Sequence, residues 1–103
     1  MGFDGTEGSA ITLPAASAMT KEHRARNSGA RLGHFFGKDI IQQILDQEGC
    51  MGIRIYYGID PGTGMRELVV VGADEEEDDM LDLVADFSMA CPNRCSSANV
   101  LNS

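Results

Sequence analysis

The sequence predicts a small α+β domain, with an antiparallel sheet centred on a β-hairpin at about 51–73 and packed against two helices at about 13–26 and 39–48. Three observations carry this. Isoleucines alternate from Met51 to Ile59 and are followed by a turn cluster and a β-branched run. Ile40, Ile41, Ile44 and Leu45 recur at helical spacing. An Ala-rich stretch opens with Thr12 and Pro14, a helix start signal. A chain of 103 residues is long enough for one hydrophobic core, so 11–103 reads as a single domain behind a flexible lead-in at 1–10.

Taken in order, Thr12 is a side-chain N-cap and Pro14 lies in the first turn, where its missing N–H costs nothing. The first helix then runs to Arg26, with Gly29 as its stop. Leu32-Gly33-His34-Phe35-Phe36 is short, apolar and flanked by glycine, and reads as a strand. Asp39 followed by Gln42 resembles a capping box, opening the second helix, which ends near Glu48 and Gly49. In the next segment Ile53, Ile55, Tyr57 and Ile59 share one face, with Arg54, Tyr56 and Gly58 on the other, the pattern of a half-buried strand. Asp60-Pro61-Gly62-Thr63-Gly64 makes the turn, and Arg66 to Gly72 returns as the partner strand. Beyond Ala73 come an acidic run, an apolar stretch from Met80 to Phe87, and a tail with Pro92 and several Ser and Asn that reads as irregular.

The formal net charge of −8 is unevenly spread: the first fifty residues carry six acids against five bases and the remainder ten against three. Positions 21–38 hold the basic segment and 74–86 the acidic one. A polyanion is repelled by such a chain as a whole, which argues against nucleic acid and for a cation, a basic protein or a second copy as partner. No run approaches the apolar length that crosses a bilayer, and the N-terminus lacks the regions of a signal peptide, so no membrane and a cytoplasmic address are expected. Three cysteines, an odd number, fit reduced thiols better than a secreted disulfide framework.

Ile11-Thr12-Leu13, Phe35-Phe36, Ile44-Leu45, the segment Gly52 to Asp60, Asp79-Met80, Asp86-Phe87, Cys91-Pro92 with Cys95, and Leu101-Asn102 give the chain a family likeness. Over about positions 11–102 it resembles a group of small uncharacterised proteins of Bacteroidota bacteria. The resemblance implies an intact domain and carries no activity with it. Where those proteins have an acidic loop containing Asn and Gly, this chain has Glu75-Glu76-Glu77.

Four constellations could carry chemistry. Counting from Asp74, acids at Asp74, Glu76, Asp78 and Asp82 fall on calcium-ligand positions of an EF-hand loop. Asp79 stands where the loop glycine belongs and Ala85 where the bidentate Glu belongs, which excludes an EF-hand and leaves an irregular divalent-cation site or a solvated acidic loop. Cys50, Cys91 and Cys95 with His34, or with His23, would supply four zinc ligands, although the spacing between Cys91 and Cys95 is looser than in ribbon or finger sites. An iron–sulfur reading fails because Ala98 stands where the third cysteine is needed. A local disulfide across Cys91-Pro92-Asn93-Arg94-Cys95 is geometrically allowed, and small packing thiols that anchor the tail are the expected role.

No nucleophile elbow, phosphate loop or dinucleotide fingerprint is present, and the glycines of 58–64 join two strands rather than a strand and a helix. No catalytic residue is therefore assigned. Finally, two thin helices cover one face of a hairpin, and the other face is expected to present Tyr56, Leu68 and Val70 to a second chain unless the 32–36 strand and the C-terminal stretch close it. The leading expectation is a non-enzymatic, self-associating interaction module. Behind it stand a divalent-cation or zinc-binding domain and a small enzyme with an unrecognised site.

Overall fold

The hairpin read from the alternating isoleucines supplies two of the three strands of the larger sheet in the structure, a computed structural model that describes residues 2–103. The elements run α1 (Leu13–Arg26), β1 (Gly33–Phe35), α2 (Lys38–Leu45), β2 (Cys50–Ile59), β3 (Arg66–Asp74), β4 (Asp79–Ala85) and β5 (Met89–Cys91). Helices and antiparallel sheets together make an α+β fold. They fall into two compact units: one is the N-terminal segment up to Glu7 with Phe36–Ser88, the other Gly8–Phe35 with Met89–Ser103.

In the first unit β2, β3 and β4 form an antiparallel sheet in that order, with Ile55 opposite Val70 and Val70 opposite Ala85. Asp60 shapes the β2–β3 turn: its Oδ1 accepts the Gly62 N–H at 2.7 Å, and Gly64 takes a φ of +73° that glycine adopts without cost. Central position explains the Val69-Val70-Val71 run, because a strand with neighbours on both sides and cover on both faces has no solvent side for polar residues.

The helix α2 lies on one face of this sheet. Ile44, Val70 and Ala85 form its buried centre, with Phe36, Ile40, Ile41, Cys50 and Leu83 packed around them. Gly72 is what lets the helix approach: a Cβ there would sit 2.9 Å from the Cys50 Sγ and 3.3 Å from the Ile44 Cγ2. The helix is shorter than its sequence pattern predicts, ending at Leu45 with Asp46 as C-cap. Its N-cap is Gly37, with no side-chain cap bond, so the expected Asp39–Gln42 box does not form. Gln42 instead donates to the Asp46 Oδ1 at 2.7 Å, closing the other end.

Helix length corrects one expectation. Eight residues of helix span about 12 Å, whereas the ten residues of β2 span about 33 Å. The isoleucine face of β2 thus meets α2 over only part of its length, and Ile55 stays 48% exposed while Val70 is 1% exposed.

In the second unit α1 begins as the sequence predicts, the Thr12 hydroxyl accepting the Ala15 N–H at 3.2 Å, and ends on Asn27, with Gly29 at a φ of +79°. None of its residues is buried. The C-terminal turn holds it: the Ser17 hydroxyl donates to the Val100 carbonyl at 3.0 Å and the Arg24 Nη1 to the Leu101 carbonyl at 2.9 Å. The predicted 32–36 strand is β1, and its partner is β5, in the tail that the sequence pattern left irregular. Among the described residues no helix is long and apolar enough to cross a membrane.

Candidate interaction surface

The chemistry of the first unit is sorted by which face of the sheet each residue takes. Tyr57 lies opposite Leu68 and Ile55 opposite Val70, so Leu68 and Val70 share the α2 face with the isoleucines. Tyr56 lies opposite Val69, on the other face. The expected trio Tyr56, Leu68 and Val70 is therefore split between faces, and Val70 is buried beneath the helix rather than offered to a partner. A one-residue difference in register exchanges the two faces of a strand, and a turn of several residues does not fix that register from sequence. What the α2 face leaves open is a row along the sheet edge: Ile53, Ile55, Tyr57 and Ile59, rising to 94% exposure at Tyr57.

The other face carries a polar cluster. Arg54 donates through Nη1 to the Asp79 Oδ1, and the Tyr56 hydroxyl donates to the Asp79 Oδ2, so one carboxylate holds both β2 side chains from β4. Arg54 also reaches the Glu77 carbonyl at 3.2 Å. The Tyr56 hydroxyl, with Arg54 behind it, holds the Asp79 carboxyl below the ordinary carboxylate range. In return, the bond to Asp79 raises the Tyr56 phenol above its usual value and makes Arg54 keep its proton more tightly.

Over this cluster lies the segment expected as a flexible lead-in. Its Phe3 ring stands 5.5 Å from the Arg54 guanidinium carbon, a cation–π distance, and the Phe3 N–H donates to the Glu75 carbonyl at 3.0 Å. The segment is folded on itself by its own side chains. Glu7 accepts the Asp4 and Gly5 N–H groups, each at 3.0 Å, and the Thr6 hydroxyl donates to Asp4 at 2.6 Å, lowering the Asp4 carboxyl. Val71 and Ala73 are buried on this side.

Comparison with family models, curated proteins and solved structures gives no match. Function therefore has to be read from side chains alone.

The acidic run 74–79 is the β3–β4 turn. The Asp74 Oδ1 accepts the Glu76 N–H at 2.9 Å and the Asp78 N–H at 3.1 Å, so the first of the four candidate cation ligands is occupied in shaping the loop. Glu76 and Asp78 point from the exposed loop, and Asp82 is exposed on β4. Of the candidate zinc ligands, Cys91 and Cys95 are joined in a disulfide, with Cα atoms 4.7 Å apart, where reduced thiols were expected. Cys50 is a free thiol in the first unit, hydrogen-bonded to the Gly52 carbonyl at 3.2 Å. His34 pairs with Ala90 in the β1–β5 ladder, and the His23 Nε2 lies 3.0 Å from the Arg31 carbonyl. Among the described residues no three His, Cys, Asp or Glu side chains gather as a metal-binding group.

Sequence reasoning missed β4, β5, the Arg54–Tyr56–Asp79 cluster and the N-terminal strap. One signal for β4 was present: a run as continuously apolar as Val69-Val70-Val71 marks a strand covered on both faces, as strands inside a sheet are and edge strands seldom are. Its own pattern hid it, because the β3–β4 register jumps between Val71 and Gly72, from Val84 to Met80, and breaks the alternation.

Proposed function

We propose that this chain is a non-enzymatic interaction module that self-associates through the free edge of β2. The observation that carries the reading is the exposed row Ile53, Ile55, Tyr57 and Ile59 on a ten-residue edge strand. Edge strands that stay single are guarded by proline, by an inward-pointing charge or by shortness. Cys50–Ile59 contains no proline, and its one charge, Arg54, is paired with Asp79 on the opposite face from the row.

A second copy fits this edge better than an unlike partner. An antiparallel pairing centred on Ile55 sets Ile55 against Ile55 of the second copy, and Ile53 against Tyr57 of the second copy. Both apolar rows then lie on one face of a continuous six-stranded sheet, and no like charges stand directly opposite. The edge N–H and C=O groups exchange water for protein partners at the same time.

Sedimentation of the full chain over a concentration series tests the reading, with a dimer as the expected species. Tyr57→Lys, at a side chain that contributes almost nothing to the core, should leave the circular dichroism unchanged and abolish the dimer. Contact between the basic 21–38 and acidic 74–86 segments of two copies would weaken steeply with salt, whereas pairing through apolar rows persists. A wild-type chain that stays monomeric at every concentration, or a Tyr57→Lys dimer as stable as wild type, refutes it.

A further inference from the structure

The Cys91–Cys95 disulfide has no evident duty as a staple. It encloses only Pro92, Asn93 and Arg94, and the freedom a cross-link removes from the unfolded chain falls with loop length, so a bridge this short stabilises least. The turn it spans is closed without it, because the Arg94 N–H donates to the Ala90 carbonyl at 2.9 Å. On the strand side, Cys91 lies opposite Gly33, and its carbonyl accepts the Leu32 N–H at 2.7 Å. A bond that adds little to stability yet sits at the junction of the β1–β5 ladder and the C-terminal tail calls for a chemical explanation.

The two sulfurs are not equivalent. Cys91 is half-buried and fixed in β5, while Cys95 is exposed in the loop beyond it. Arg94 precedes Cys95 and is itself exposed. A cation beside the exposed sulfur draws an anionic thiol to it, and the exposure of Cys95 leaves the approach to its Sγ open.

We propose that Cys95 is a site of thiol–disulfide exchange with a small anionic thiol. The external thiolate attacks the Cys95 Sγ, a new S–S bond forms between them, the Cys91–Cys95 bond breaks, and the electron pair leaves on the Cys91 sulfur, which takes a proton from water. The step is reversible. Cys91, held in the strand, attacks the Cys95 Sγ of the mixed disulfide and expels the small thiol, so one cysteine receives and the other resolves. While the adduct lasts, the tail beyond Cys95 has lost its covalent tie to β5 and keeps the Arg94–Ala90 hydrogen bond.

Glutathione is the probe. The oxidised full chain is incubated with reduced glutathione, quenched by acid and alkylation, and mapped by peptide mass; the adduct should lie on Cys95 and not on Cys91. In a second arm, reduced Cys91→Ser and Cys95→Ser chains meet oxidised glutathione. Cys95 should capture glutathione about tenfold faster than Cys91, following its exposure and its flanking cation. Cys50, half-buried with its Sγ bonded to the Gly52 carbonyl, is the internal reference within each chain and should react slowest. An adduct on Cys91, no adduct at all during reduction, or equal capture rates at the two cysteines overturns the proposal. The first arm uses the unmutated chain, so a variant that fails to fold leaves it decisive.

Discussion

Replacing Glu77 by Gly should stabilise the protein. The connection between β3 and β4 is 75–78; the Asp74 N–H donates to the Asp78 carbonyl and the Glu77 N–H to the Asp74 carbonyl, each at 3.0 Å, so three residues, 75–77, lie inside the last hydrogen-bonded pair. Such loops close through a last residue in the left-handed region, and Glu77 has a φ of +69°. A side chain there costs about 1–2 kcal/mol through the clash of Cβ with the backbone. Glycine removes that cost but gives the unfolded chain extra freedom worth about 0.4–1 kcal/mol. The net gain is between about 0 and 1.6 kcal/mol, centred near 0.8 kcal/mol, and that central value raises the melting temperature of a domain this small by roughly 3–6 °C. The Arg54 bond to position 77 survives, since its acceptor is the main-chain carbonyl. Thermal melts of Glu77→Gly and Glu77→Ala, at low and high salt, separate strain from charge. Both variants remove one carboxylate from the acidic run, and salt screens that benefit, but only Gly relieves the backbone. If Ala stabilises as much as Gly, or if Gly destabilises, the strain argument is wrong.

Two further outcomes follow from the sheet. Val70→Ala, beneath α2, should cost about 2–3 kcal/mol in urea denaturation, and Ile55→Ala, at the half-exposed edge, under about 1.5 kcal/mol; the reverse order would place the core elsewhere. Because the Asp79 carboxyl is held low in the folded state, its contribution is present above the ordinary carboxylate pKa and is lost as pH falls through the depressed folded value. Asp79→Asn should therefore flatten the acid limb of the stability profile and return the Tyr56 phenol towards its usual value in an alkaline absorbance titration, and an unchanged titration would contradict the Tyr56–Asp79 bond.

Legibility in the sequence followed the range of the interaction. Local signals carried well: the Thr12 hydroxyl caps α1, the helix stops at Arg26 as expected with Asn27 as its C-cap, Asp60 turns the hairpin, and the Ile40–Ile44 spacing identifies the helix that covers the sheet. Each is decided within a few residues of chain. What failed depended on pairing across the chain. Alternation along β2 places Tyr57 with the isoleucines and Tyr56 on the other face, as observed, but the β3 residues Leu68 and Val70, expected beside Tyr56, lie instead on the isoleucine face, because that sharing depends on the cross-strand register. The Phe3–Arg54 contact joins residues fifty-one positions apart, and Arg54 to Asp79 a further twenty-five, with no periodicity to announce either.

The same arrangement explains why the two faces of one sheet have such different sequences. On the α2 side close approach is needed, and Gly72, Val70 and Ala85 keep the surface flat enough for the helix to lie against it. The other side is covered differently within the first unit. There the cover consists of the short N-terminal strap and the Arg54–Tyr56–Asp79 bonds, which tie β2 to β4 across β3. The strap and network cover the first half of β2, and α2 covers the end of the helix face near Gly72. Tyr57 and Ile59, at the far end of β2, lie beyond both, which is why the longest apolar exposure of the sheet collects at its edge rather than over its centre.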